Sequence, residues 1–256
     1  MSATAATDLL TPDLVARLLI LAYAPGVHAV SVVGSAARGD ATEWSDIDLH
    51  ACVRLSEQKF ATRVRYLEDG RLVMVASDTL AEMREELAEP ARAVWAVPAL
   101  RDMRILLDQE RSLGALQDEA RAFEWSRLEA RAKESERQRL VASIEYVHKI
   151  RAAVERADES AALHAERALV ERCTRAVVTA TGTFIRTENE YFARAREVAG
   201  PQWTELHRLA FGLEGGDAFT RARIACLLFA ETARVLDDIL DGSSRELIRR
   251  GLAVAP

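Results

Sequence analysis

The chain has 256 residues, 49% of them hydrophobic and 29% charged, with a net charge of −6 at pH 7. This is the composition of an ordinary globular protein with room for two modest domains. It excludes a membrane span, because no apolar run reaches the ~20 residues required, and it speaks against a nucleic-acid partner, whose backbone calls for a basic excess.

Thr11-Pro12-Asp13 reads as a helix start, with a cap, a proline at the first helical position and an early acid. The helix it opens runs to about Tyr23. Apolar residues at 29, 30, 32 and 33 predict a buried strand over 27–33 that ends at Gly34. A second strand is expected over 46–53, a helix over 56–68 ending at Asp69-Gly70, and a third strand over 71–76. Residues 79–88 read as a short helix stopped by Glu89-Pro90. Extended pieces at 92–97 and 103–107 complete a small mixed α/β domain, residues 1–108.

Beyond Asp108 the hydrophobic period becomes helical. One set is Leu140, Ile144, Val147, Ile150 and Val154. A second is Leu163, Val170, Cys173, Val177 and Ala180. A third is Ile224, Leu228, Val235 and Ile239, running from near Asp217 to Gly242. Residues 109–256 therefore form an all-α helical bundle with loops at 156–160, 199–203 and 213–217, its helices antiparallel by default. Cys52, Cys173 and Cys226 lack C-x-x-C spacing and fit reduced thiols. Met1-Ser2-Ala3-Thr4 lacks the basic start of a signal peptide, so a cytoplasmic location is expected.

The stretch that carries chemistry is Val33-Gly34-Ser35-Ala36-Ala37-Arg38-Gly39, followed by Ser45-Asp46-Ile47-Asp48-Leu49. A Gly-Ser turn lets a phosphate approach backbone N–H groups and a hydroxyl unobstructed. Residues two apart on a strand share a face, so Asp46 and Asp48 point the same way, about 6.6 Å apart. Two such carboxylates suit Mg²⁺ bound against a triphosphate. Arg38 has the forked donors that reach a phosphate, and Ser45 orients the loop before Asp46.

Together these residues resemble the nucleotidyltransferase superfamily of DNA polymerase beta, and within it the small enzymes that adenylylate aminoglycosides or lincosamides. The close resemblance covers roughly residues 27–53. It implies an α/β (α+β) nucleotidyltransferase domain followed by a helical domain that helps bind the acceptor. It further implies ATP as co-substrate, Mg²⁺ as cofactor, and transfer of AMP to a hydroxyl of a small molecule such as an aminoglycoside, a step in antibiotic resistance. Gly34, Ser35, Arg38 and Ser45 would hold the nucleotide, and Asp46 and Asp48 the metal.

The superfamily also uses a third carboxylate on the neighbouring strand, and Met74 stands at the expected place. A thioether is a poor Mg²⁺ ligand and no base. Asp78 shares strand parity with Met74 and is the candidate catalytic replacement, its plain role being a helix cap before Leu80. His50 shares parity with the aspartates. Two other readings follow: a catalytically degenerate nucleotide-binding or protein-interaction module, and a protein-adenylylating, antitoxin-like enzyme. In the helical part, Glu188 and Glu190 within Arg186–Tyr191 are the expected contacts to an amine-bearing acceptor. Glu145 and Lys149 read as a solvated pair, and Asp237, Asp238 and Asp241 as exposed acids. Trp44, Trp95, Trp125 and Trp203 read as packing residues, with Trp44 close enough to the motif to stack on a base.

Overall fold

Helix α1 (Pro12–Ala22) begins as its sequence demands, with the Thr11 hydroxyl accepting a hydrogen bond from Leu14 N–H and Pro12 in the first turn. The computed structural model of the protein describes residues 9–256, so the Met1–Thr4 stretch lies outside the described residues. Strand β1 (Val27–Val33) is followed by a five-residue helix, α2 (Gly34–Arg38), and then β2 (Ile47–Val53). After β3 (Arg63–Tyr66) and β4 (Leu72–Thr79) come α3 (Leu80–Ala88), α4 (Pro90–Asp102), β5 (Arg104–Asp108) and α5 (Ser112–Arg121).

The five strands form one sheet in the order β3-β4-β2-β1-β5. The β2–β4 pair is parallel and the others are antiparallel. Strand parity divides the sheet into two faces. Val30, Val32, Ile47, Leu49, Val73 and Val75 lie on one and pack with Leu18 and Ala22 of α1 in a buried cluster. Each such side chain removed from water contributes about 1.5–3 kcal/mol. Ladder partners share a face, so Ser31, Asp48, His50, Met74 and Asp78 lie on the other.

Two segments of the N-terminal half differ from the sequence expectation. The helix expected over 56–68 is a single 3₁₀ turn at Ser56–Gln58 followed by edge strand β3. Asp69-Gly70 closes a hairpin: Leu67 N–H donates to the Arg71 carbonyl at 2.9 Å, and Gly70 takes φ +84°. The alternation of Arg63, Val64, Arg65 and Tyr66 was the signal for it. The extended piece expected at 92–97 is the middle of α4, where Ala93, Val94, Ala96, Val97 and Leu100 are all buried. A helix covered nearly all round has no amphipathic period to reveal it. Pro90 both stops α3 and opens α4.

The chain divides into two units, Met1–Glu124 and Trp125–Pro256. The first runs past residue 108 because α5 packs on α4 and β5, and Gln117 Nε2 donates to the Met103 carbonyl at 2.8 Å.

The second unit is helical: α6 (Glu129–Glu155), α7 (Glu159–Thr181), α8 (Tyr191–Ala199), α9 (Pro201–Ala210), α10 (Ala218–Val235) and α11 (Gly242–Leu252). The third hydrophobic set is broken at Val235, where a 3₁₀ turn leads to α11 under its Asp241 cap. The loop expected at 199–203 shrinks to Gly200, and Trp203 is buried inside α9. Its indole N–H donates to Thr232 Oγ1 at 2.8 Å. The three cysteines are free and buried. Burial pushes the Cys173 and Cys226 thiols up to about 12. No described helix is long and apolar enough to cross a membrane.

His207 of α9 is 1% exposed and stacks between Trp203 and Phe211 at 4.8 and 5.5 Å. Burial, with Arg196 nearby, lowers its pKa to about 4. The unfolded chain takes up this proton below about pH 6.5 and the folded chain only near 4, so falling pH across that window favours unfolding. Between pH 7 and 4.5 the wild type should lose ~2.5 kcal/mol more stability than His207→Phe, which keeps the ring stack. Urea unfolding across that range checks this, and parallel curves would acquit His207.

Candidate active site

The candidate site lies where β1 ends. Gly34 takes φ +70°, a conformation that L side chains rarely adopt. A Cβ built on it would stand 3.6 Å from Asp48 Oδ2, so the carboxylate lies against the glycine backbone. The ladder accounts for this closeness: Val33, the last residue of β1, pairs with Asp48 of β2. Gly34 and Ser35 thus open α2 rather than a bare turn, and Gly39 closes it at φ +80°. The Ser35 side chain is half-buried and makes no hydrogen bond among the described residues.

Asp46 and Asp48 are both half-buried, with Asp46 just before the first residue of β2. Asp46 has no hydrogen bond or ion pair among the described residues. Ser45 holds the preceding loop, its hydroxyl accepting from Thr42 N–H at 2.9 Å. Trp44 beside it is 88% exposed. Arg38 has a nearly buried side chain whose Nε donates to Asp40 Oδ2 at 3.1 Å. Its guanidinium is thus anchored within the loop that links α2 to β2.

Beside Asp48, on parallel strand β4, stands Met74. The thioether thus lies on the same face and at the same level as Asp48, while the third carboxylate expected from the resemblance stays an expectation. Asp78 pairs instead with Cys52, four residues further along. That spacing is roughly 13 Å of strand, so Asp78 is not brought together with Asp48. Lys59 Nζ sits 3.4 Å from Asp78 and 2.8 Å from Glu82. Nor is Asp78 the cap of α3: the Thr79 hydroxyl accepts from Glu82 N–H, and Glu82 returns to the Thr79 backbone in a reciprocal capping box. Bonds from Lys59 and Thr79 hold the Glu82 carboxyl down at about 2.

His50 lies between these levels, opposite Ala76 and Ser31. Burial lowers its pKa while the Asp78 charge opposes, and Nδ1 is buried without a hydrogen-bond partner, as is Ser31 Oγ. A neutral imidazole between two carboxylate levels could accept a proton.

In the helical unit, Glu190 Oε1 accepts the Arg186 N–H at 2.5 Å and so closes its own turn, and Glu188 is exposed beside it. Asp237 pairs with Arg245 at 2.7 Å, Asp238 with Lys133 at 3.2 Å, and Asp241 caps α11. Glu145 and Lys149 form the expected i,i+4 pair at 2.6 Å. Among the described residues no group of three or more His, Cys, Asp or Glu is arranged to hold a metal. Asp46 and Asp48 are two hard oxygen donors, enough for a Mg²⁺ that takes its remaining ligands from phosphate and water.

Residues 20–92 match the family model described as a nucleotidyltransferase domain, which supports nucleotidyl transfer in general. The span contains Gly34, Ser35, Asp46, Asp48 and Met74. A solved structure of a nucleotidyltransferase-like protein from Exiguobacterium sibiricum is similar, at 16% identity and a TM-score of 0.50. The similarity covers 93% of this chain and 77% of that one, and it shows likeness of fold alone. No curated protein matches the sequence.

Gly34 and Gly39 provide a paired test. Alanine at either must adopt a positive φ, costing about 1–2 kcal/mol, which urea unfolding will read. Nothing lies within 4 Å of a Cβ at Gly39. Only Gly34→Ala places a methyl beside Asp48, so it alone should weaken ATP binding measured by calorimetry. Equal ATP binding by both variants would remove Gly34 from the site.

Proposed function

We propose that the protein transfers a nucleoside monophosphate, AMP from ATP, to a hydroxyl of a small molecule, with an aminoglycoside as the acceptor class. The observation that carries this reading is the Asp48 carboxylate held 3.6 Å from the Cβ position of Gly34. It joins a backbone that a phosphate can approach to a carboxylate that a cation can bridge. Mg²⁺ bound by Asp46 and Asp48 would neutralise charge on the attacked phosphate and the leaving pyrophosphate. The backbone at Gly34 and the free Ser35 hydroxyl would bind the terminal phosphates. The acceptor hydroxyl would give its proton to a base as its oxygen attacks the α-phosphorus, the bond to the bridging oxygen of the β-phosphate would break, and pyrophosphate would depart with that electron pair. Trp44, two residues before Asp46 and 88% exposed, would stack on the base.

A second reading has its own observation: Met74 occupies the position beside Asp48. In that reading the chain binds MgATP but transfers little, as a nucleotide-binding module. A base for the acceptor proton separates the two readings, because only transfer needs one.

Two measurements follow. Calorimetry of ATP with and without Mg²⁺ should show metal-dependent binding that Asp46→Asn and Asp48→Asn each weaken while the thermal melt stays within a few degrees. Metal-independent binding by the wild type would sink the two-carboxylate assignment. Pyrophosphate release over an aminoglycoside and lincosamide panel then tests the third position. Met74 is half-buried, so Met74→Asp places its charge within reach of water and should raise turnover by ~10²-fold, at the low end for a general base. Fast release by the wild type together with no gain in Met74→Asp would assign the base elsewhere.

A further inference from the structure

Wholly within the unit Trp125–Pro256, the helices line a groove of about 850 Å³. That is within the roughly 300–1,000 Å³ of small-molecule sites. One stripe of α7 lines it with Leu163, Glu166, Val170 and Glu171, and it faces Phe192, Phe211 and Arg221 from the helices beyond.

Two charged groups face this groove, Glu166 buried and Arg221 half-buried, and neither side chain makes a hydrogen bond among the described residues. Glu166 is 4% exposed and makes no hydrogen bond among the described residues. Burial raises its pKa against the opposing charges of Arg221 and Arg167. Arg221 Nε is buried and has no hydrogen-bond partner. The chain is shaped to keep Arg221 there: Gly212 takes φ +77°, and a side chain on it would come within 2.7 Å of Arg221 Nη1. Glu171, at the same groove, accepts from the Tyr191 hydroxyl at 3.2 Å. Phe192 and Phe211 meet edge to face with centroids 4.7 Å apart.

A carboxylate only accepts hydrogen bonds and a guanidinium only donates them. An occupant that satisfies both must therefore present a donor and an acceptor close together, with an apolar body for the two phenyl rings. We propose that this groove binds a small molecule carrying a protonated amine next to an oxygen acceptor, the head group shared by amino sugars and apolar amino acids. The ammonium meets Glu166 and the oxygen meets Arg221. Aromatic faces beside a desolvated carboxylate favour a cation further. Only the amino-sugar case rests on the transfer reading above, in which an amino sugar is the acceptor class.

The test is calorimetry of the full chain, without nucleotide, against kanamycin and against phenylalanine. Saturable binding of either supports the proposal and identifies the source of the head group. Glu166→Gln keeps the shape and removes the charge, so it should weaken that binding by about ten-fold or more. Glu171→Gln, at an exposed position, should weaken it as well and decides the matter if Glu166→Gln does not fold. Saturation by neither probe, or folded variants that bind like the wild type, would overturn the proposal. Mg²⁺-dependent ATP binding on the same samples reports on the transfer reading separately.

Discussion

Pairing of Val33 with Asp48 at the end of the β1–β2 ladder is the constraint on which the rest of the N-terminal unit depends. A strand has a period of two, so this one registration sends Val30, Val32, Ile47 and Leu49 to the core under α1 and leaves Ser31, Asp48 and His50 on the opposite face. A slip of one residue would bury the aspartate against α1 and expose the valines. It also fixes Gly34 as the next residue, beside the carboxylate, where a positive φ lets the chain turn into α2 without a side chain in the way. Apolar burial therefore positions the polar site, because the same ladder sorts both faces.

The parallel pairing of β2 with β4 extends this logic to the third position. Asp48 faces Met74, and the acid four residues further, Asp78, is engaged with Lys59. Lys59 in turn is held by Glu82, whose second task is to close the cap of α3. The charges at this end of β4 are thus spent on holding α3 and the loop before β3. What remains on the site face between Asp48 and Asp78 is Met74, Ala76 and His50, with a neutral imidazole as the titratable group.

The helical unit balances its charges differently. Its acids are mostly surface partners of arginines, as at Arg137–Asp241 and Arg245–Asp237, and such exposed pairs contribute little individually. Its stability comes instead from buried apolar stripes on α6, α7 and α10 and from the Trp203–His207–Phe211 stack. Against that background Glu166 and Arg221 stand out. They face one groove, Glu166 buried and Arg221 with its Nε buried, and neither side chain has a hydrogen bond among the described residues, at a place where the packing would otherwise accept apolar residues.

Local chemistry made much of this protein readable from its residues. The Thr11 cap and Pro12 set the start of α1, the alternating and apolar runs set β1, β2, β4 and β5, and the helical period set α6, α7 and α10. The Gly34-Ser35 and Asp46-x-Asp48 pattern pointed to the candidate site, because glycine permissiveness and strand parity act within a few residues. Tertiary structure decided the rest. Whether 56–68 became helix or edge strand depended on β4 being there to pair with β3, and whether 92–97 became strand or helix depended on burial nearly all round α4. The levels of Met74 and Asp78 relative to Asp48 depended on a register between strands more than 20 residues apart in the chain. Helix packing decided that Glu166 and Arg221 line one groove, since a charge on a helix face carries no local sign of whether water or a groove will cover it.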